Sequence, residues 1–140
     1  MNSRNPNPDV WMRLARDDMG TVSLLMTEHK KKVEIILMHC QQTAEKALKA
    51  YLVSNGIWAG NTHDTILLLA ECAKLNPKFK TQRMIAHCAF LNRITPAVKY
   101  ADMNVSVDGS HISRAINSAK RVYELVSIQL GQGAHFFAKG

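Results

Sequence analysis

Apolar residues recur at three- and four-residue steps along most of this 140-residue chain, which is the spacing of one face of an α-helix. The first stripe predicts a helix over about residues 9–28. A basic turn at residues 30–32 interrupts the pattern, which restarts and predicts a second helix over about residues 33–54. Asn55-Gly56 supplies the stop signal that commonly ends a helix.

The middle of the chain predicts a third and a fourth helix. Thr62 can cap the third, with Asp64 in its first turn, where a carboxylate interacts favourably with the helix dipole. Asn76-Pro77 ends this helix. The fourth starts near Thr81, and Pro96 is expected to break or kink it, because proline removes a helical hydrogen bond.

The last stripe is the most regular in the chain and predicts a fifth helix over about residues 112–130. Residues 97–110 read as an irregular stretch in which residues 108–110, Asp-Gly-Ser, form a turn and a cap. Five helices with short links predict an all-α fold, an antiparallel up-and-down bundle of four to five helices.

The composition supports a single domain, since 46% of the residues are hydrophobic and 21% are charged. We expect all 140 residues to form it, with a core over about residues 9–130 and tails at 1–8 and 131–140. The longest apolar runs, residues 35–38 and 66–70, are far too short to span a bilayer. The sequence therefore predicts a cytoplasmic protein with no membrane contact.

The charge favours anionic partners, because 18 Lys and Arg against 11 Asp and Glu give a net charge of +7. The three cysteines form no CxxC pair and read as reduced core thiols, and the six histidines show no HxxxH or HExxH pairing. Neither a metal nor another cofactor is predicted. The signal for nucleic-acid binding is weak, because the basic residues do not alternate with the aromatic residues Tyr51, Trp58, Tyr100 and Tyr123.

One segment of the second helix carries a family signature. Residues 40–50, CQQTAEKALKA, resemble the QQAxEKxLKA motif of HEPN domains, small helical domains of higher eukaryotes and prokaryotes that are associated with nucleotides. The resemblance extends over the family's other elements, which are matched by Trp11, Ala15 and Asp18, by Thr62-His63-Asp64, by Leu91-Asn92, by residues 98–102, and by Ala115, Ala119 and Val122.

The resemblance implies a homodimer that binds a nucleotide or works beside a small nucleotidyltransferase, in a toxin–antitoxin-like setting. Ribonuclease members of the family carry an Arg and a His with four to six residues between them. Here only three residues separate Arg83 from His87, and no His follows Arg93 within that window. The ARYPD element reads VKYAD, so that Lys99 stands where an Arg could grip a phosphate at two points.

These departures favour a non-catalytic binding module. Its ligand cleft is expected to contain Asp18, His63, Asp64, Lys99 and Tyr100. Lys99 would attract phosphate, Tyr100 would supply a hydrogen bond or a stacking surface, and Asp18 would orient Lys99 or Tyr100. The plainer interpretation of Asp18 is a structural salt bridge with Lys99 or Arg16, and that of His63 and Asp64 is helix capping. The alternative function is a metal-independent ribonuclease with a degenerate active site, in which Lys99, Tyr100 and His63 replace the missing pair.

The side of the second helix that lies opposite its main apolar stripe is a candidate contact surface for a dimer or another partner. It carries Ile35, Met38, Gln42, Glu45, Lys46 and Lys49. A solvated charged face with an ordinary Glu45–Lys49 pair is the simpler interpretation. Because Ile35 and Met38 are apolar, we also consider that the helix is covered on both faces, by another helix of the bundle or by a second subunit.

Overall fold

The computed structural model of the chain describes residues 7–99 and 108–132, the side chains of residues 96–99 excepted. This part of the chain forms five α-helices and contains no β-strand. The helices are α1 (Pro8–Leu25), α2 (Val33–Ser54), α3 (Thr65–Leu75), α4 (Gln82–Lys99) and α5 (Gly109–Gln129), with a short 3₁₀ helix (Pro77–Phe79) after α3. The predicted all-α bundle is confirmed.

The four long helices alternate in direction, and α3 is added beside them. Asp9 at the start of α1 accepts a hydrogen bond from Gln132, just beyond the end of α5. α3 runs in the same direction as α2, because residues 55–64 lead the chain back along α2 before α3 begins. Cys72 therefore contacts the carbonyl oxygen of Leu48, far along α2.

The second helix is the centre of the molecule. α2 contacts all four other helices, and its contacts with α1 and α5 are the most extensive. It is buried on nearly every side over its second half, so its small residues let the neighbouring helices approach closely. The largest fully buried side chains around it include Met12, Phe79, Leu91 and Tyr123.

The end of α1 and the start of α5 differ from the prediction. α1 ends at Leu25, where Met26 is the cap and the Thr27 hydroxyl donates to the Leu24 carbonyl, and not near residue 28. α5 begins at Gly109, because Asp108 caps it through a reciprocal pair of hydrogen bonds with His111. Its start therefore lies before the predicted residue 112.

α4 continues through Pro96, where a break or kink was expected, and ends at Lys99. A proline inside a helix removes one donor, and the hydroxyl of the preceding Thr95 donates to the Leu91 carbonyl at 2.9 Å within the same turn. Residues 97–99 thus belong to the helix, and the rest of the predicted irregular stretch up to residue 107 lies outside the described residues.

The three cysteines are buried and free, as predicted. Burial raises the pKa of the Cys40 thiol to about 12 and that of the Cys88 thiol to about 12, and it raises the pKa of Cys72 further. Thiols with such pKa values are protonated and unreactive at neutral pH. None of the described helices has the length and apolarity that a membrane-spanning segment needs.

Candidate functional site

A buried carboxylate on α2 organises the polar groups on one side of the bundle. Glu45 is only 6% exposed, and its two oxygens accept hydrogen bonds from Lys49 Nζ at 3.0 Å, His63 Nδ1 at 2.9 Å and Gln41 Nε2 at 3.2 Å. Gln41, Glu45 and Lys49 are four residues apart, which brings them onto one face of the helix. A buried carboxylate needs such donors, because burial without them is costly.

His63 is held at this carboxylate and also faces solvent. Gln41 donates to its backbone carbonyl at 2.8 Å and so attaches the loop before α3 to α2. The side chain is 79% exposed even though Nδ1 contacts Glu45. Because Nδ1 is engaged, Nε2 is the ring nitrogen that a ligand can reach.

Asp64 caps α3, as the plainer interpretation of this residue predicted, whereas Thr62, the other candidate, does not. Its carboxylate accepts from the backbone N–H groups of Ile66 and Leu67, and from Asn92 Nδ2 at 2.6 Å. The Asn92 hydrogen bond, together with the two backbone bonds, lowers the pKa of Asp64. Thr62 instead accepts from the Asp64 backbone N–H, two residues too early to cap the helix.

Asp18 is on the opposite flank of α2 and belongs to a second buried ion cluster. Its carboxylate accepts from Lys46 Nζ at 2.6 Å and contacts His39 Nδ1 at 2.8 Å. The structural salt bridge expected of Asp18 is therefore present, and Lys46, which the sequence analysis did not name as its partner, forms it. Arg16 interacts with the Tyr123 hydroxyl, and the side chain of Lys99 lies outside the described residues.

The structure thus brings together only part of the predicted cleft. His63 and Asp64 are adjacent at the start of α3, and Asp18 joins α2 through Lys46, the neighbour of Glu45. Within the part of the chain that the structure describes, His63 and Asp18 share no hydrogen-bond partner. Tyr100, like the side chain of Lys99, is outside the described residues, so its place in the cleft stays a prediction.

The predicted contact surface of α2 is divided in two. Glu45 and Lys49 are buried within the single chain, so the solvated face is wrong for them and a partner has no access to them. Lys46 and Gln42 are half-buried, whereas Ile35 and Met38 are 40% and 38% exposed. The second half of the helix is therefore covered on both faces by its own chain, and the first half is open.

A partly buried tryptophan lies beside this network. Lys49 Nζ is 5.5 Å from the centre of the Trp11 ring, which places the ammonium within range of a cation–π interaction. The indole N–H of Trp11 is buried and has no hydrogen-bond partner among the described residues. Within residues 7–95 and 108–132, no group of three or more His, Cys, Asp and Glu side chains is arranged to hold a metal ion.

Sequence reasoning missed four residues of these clusters: His39, Gln41, Asn92 and Trp11 as a neighbour of Lys49. Gln41 lies in the segment CQQTAEKALKA and Asn92 in the Leu91-Asn92 element, and their positions in these family motifs were the available signal for a role in the site. His39 had none, because it becomes a partner of Asp18 only through the way in which α1 packs on α2.

The described residues thus form a small helical domain, a five-helix bundle with a buried glutamate on its central helix and a histidine from the following loop beside that glutamate. A family model, described as HEPN domain, matches residues 9–129. The chain therefore belongs to the HEPN domain family, as its motifs predicted.

A solved structure is consistent with this assignment. The chain is similar to the crystal structure of ST0689, an archaeal HEPN homologue, with a TM-score of 0.68 and 23% sequence identity. The alignment covers 89% of this chain and 98% of the other, and at that identity it shows the fold alone. A comparison with curated proteins gives no match.

Proposed function

We propose that this HEPN domain is a non-catalytic module that binds a phosphate-bearing ligand, a nucleotide in the simplest case, at the cleft beside His63. The observation that carries the proposal is the exposed imidazole held by a buried carboxylate, Glu45, at 2.9 Å. Such a ring is fixed in orientation yet open to solvent on its other nitrogen, which is how a binding group is preorganised.

The net charge of the chain supports an anionic ligand. The whole chain carries +7. Lys99, the last residue of α4, and Tyr100, the next residue in the sequence, stand in the VKYAD element that resembles the family motif. Asn92 of the same helix contacts Asp64 at the start of α3. A protonated His63 would donate Nε2–H to a phosphate oxygen, Lys99 would add a second positive charge, and Tyr100 would supply a hydrogen bond or a stacking surface.

The proposal includes a protein partner. Ile35 and Met38 are exposed apolar side chains on the open half of α2, with the half-buried Gln42 one turn further along. We assign these three residues to the contact with a second copy of the chain, and the same surface is the place for a nucleotidyltransferase-type partner. Glu45 and Lys49 are buried and do not contact the partner themselves; their ion pair stabilises the helix that carries this surface.

The experiment is thermal unfolding of the purified protein with a panel of nucleotides. A ligand at a hundred times its dissociation constant adds about 2.7 kcal/mol of stability. His63→Ala should abolish the stabilisation, whereas His29→Ala, which removes an exposed histidine in the α1–α2 loop, should leave it unchanged. A nucleotide shift that survives in His63→Ala, or no shift with any nucleotide, contradicts the proposal.

One observation favours the alternative, a metal-independent ribonuclease. An imidazole whose Nδ1 contacts a buried carboxylate is the arrangement of a general acid–base pair, with Nε2 as the atom that exchanges the proton. If this function holds, the protein cleaves RNA in the presence of EDTA, and both His63→Ala and Glu45→Gln abolish the cleavage. The binding module predicts intact RNA in the same assay.

A further inference from the structure

The outer side of α4 and α5 is unusually rich in positive charge. α4 contains no Asp or Glu, and Glu124 is the one acidic residue of α5, whereas the two helices together carry six Lys and Arg residues. Side chains from both helices meet along the line where the helices pack. We call this surface the α4–α5 face and define it by Arg83, His87, Phe90, Arg93, Arg114 and Arg121.

The centre of the α4–α5 face is an aromatic ring shared by two arginines. The guanidinium of Arg114 is 4.1 Å from the centre of the Phe90 ring, and that of Arg93 is 5.5 Å from it. The His111 ring lies parallel to Phe90, with 6.3 Å between the centroids. These cation–π contacts hold two positive charges from different helices close together.

The other two arginines of the face, Arg83 and Arg121, act electrostatically on His87, as Arg114 does. His87 Nδ1 is 2.9 Å from the Ser118 hydroxyl, which ties α4 to α5. Burial lowers the pKa of His87, and the positive charges of Arg121, Arg83 and Arg114 lower it further. Three arginines thus act electrostatically on one half-buried imidazole, which is therefore predominantly neutral at pH 7.

The α4–α5 face has little acidic compensation. Within the described part of the chain, Arg121 lies 3.6 Å from Glu124, and no carboxylate forms a salt bridge with Arg83, Arg93 or Arg114. Clustered like charges destabilise a folded protein unless an anion neutralises them. An external anion with several negative charges would neutralise the arginines of the α4–α5 face together.

We propose that the α4–α5 face binds the phosphate backbone of a single-stranded nucleic acid. Guanidinium groups match phosphate oxygens at two points, and four of them along two helices require an anion with regularly repeated charges. Phe90 is 3% exposed, so its ring holds the arginines and is not a platform for stacking bases. Recognition is therefore of the backbone and is independent of base sequence.

This surface is separate from the His63 cleft. His87 and Phe90 contact α5, whereas Cys88 and Asn92 on another side of α4 contact Thr65 at the start of α3. The inference therefore goes beyond the proposed nucleotide site. The sequence indicates nucleic-acid binding only weakly, because Phe90 and the arginines come from two helices and do not alternate along the chain. The proposed surface becomes visible only in the folded structure.

The test is fluorescence anisotropy with two 20-nucleotide probes of the same base sequence, one single-stranded RNA and one single-stranded DNA. The variant combines Arg83→Gln and Arg121→Gln, two exposed positions that leave the Phe90 cluster intact. The control combines Lys30→Gln and Lys32→Gln, which removes the same charge from the exposed α1–α2 turn.

We expect both probes to bind, the arginine variant to bind about tenfold more weakly, and the lysine control to change less than about twofold. Loss of two phosphate contacts should also lower the slope of log affinity against log salt by about 1.4. Circular dichroism of each variant checks that the bundle is folded.

Four results would overturn the proposal. These are no binding of either probe, an equal loss in the lysine control, binding of the RNA probe alone, and displacement of the probes by polyglutamate at equal charge. His63→Ala separates this proposal from the nucleotide site, since it should leave the anisotropy titration unchanged. If His63→Ala weakens probe binding while the arginine variant does not, the nucleic acid occupies the His63 cleft and the α4–α5 face is not its site.

Discussion

Replacing Lys49 with methionine tests whether the Glu45 network is the buried structural centre of the candidate site. Methionine keeps most of the apolar stem of lysine and removes the ammonium, so the carboxylate of Glu45 loses its hydrogen bond at 3.0 Å while it stays buried. His63 and Gln41 remain as donors. The substitution therefore removes a buried charge partner, together with the contact of the ammonium with the Trp11 ring.

The magnitude follows from the burial of both partners. The side chains of Lys49 and Glu45 are 5% and 6% exposed, so water cannot take the place of the ammonium. Removing one partner of a buried ion pair costs about 3–5 kcal/mol. Replacing both partners, Glu45→Leu with Lys49→Met, removes the stranded charge, and we expect this double variant to lie within about 2 kcal/mol of the unmodified protein.

The assay is urea unfolding followed by circular dichroism, at one protein concentration because dimerisation would alter the apparent stability. Lys74→Met is the matched control, since it breaks an exposed pair with Glu71 and should cost less than about 1 kcal/mol. A cost for Lys49→Met no larger than that of Lys74→Met would refute the reasoning. So would a double variant that is less stable than Lys49→Met alone.

Further predictions concern the α3 cap, the α4–α5 contact and the core thiols. Asp64→Ala should cost about 1–2 kcal/mol in urea unfolding at pH 7, and because the folded-state pKa of Asp64 is lowered, this contribution should disappear as the pH falls through that pKa. His87 has a lowered folded-state pKa, so the unfolded chain binds the proton first and stability falls as the pH drops below 6.5; His87→Gln should flatten this part of a stability-against-pH profile. A thiol reagent at pH 8 should modify the native protein slowly and should rapidly titrate three thiols once it is unfolded in guanidinium chloride, because burial raises the pKa of Cys40, Cys72 and Cys88.

The fold was largely predictable because its signals are local. The apolar period of α2 and the stop at Asn55-Gly56 predict its observed bounds, Val33–Ser54. The start of α3 was less predictable, since Thr62 and Asp64 are both good capping residues. The choice of Asp64 is consistent with the hydrogen bond from Asn92 on α4, a residue that is distant in the sequence.

The candidate site was predicted only in part, because it depends on tertiary placement. A glutamate and a lysine four residues apart look the same whether the pair is solvated or buried, and the covering of Glu45 by the His63 loop is a property of the fold. The need of Asp18 for a cation could be read from its position in an apolar stripe. Its partner could not, because Lys46 reaches it only through the register of α1 against α2.

The central position of α2 has a consequence for the synthesis of the protein. Its most extensive contacts are with the helix before it and with α5, the last of the described helices, which begins 55 residues after α2 ends at Ser54. At about 5–20 residues per second, the ribosome needs roughly 4–15 s to complete the chain from the end of α2 to the end of α5. During that time the nascent chain presents an incompletely covered α2, and a chaperone that binds exposed apolar helices has its opportunity then.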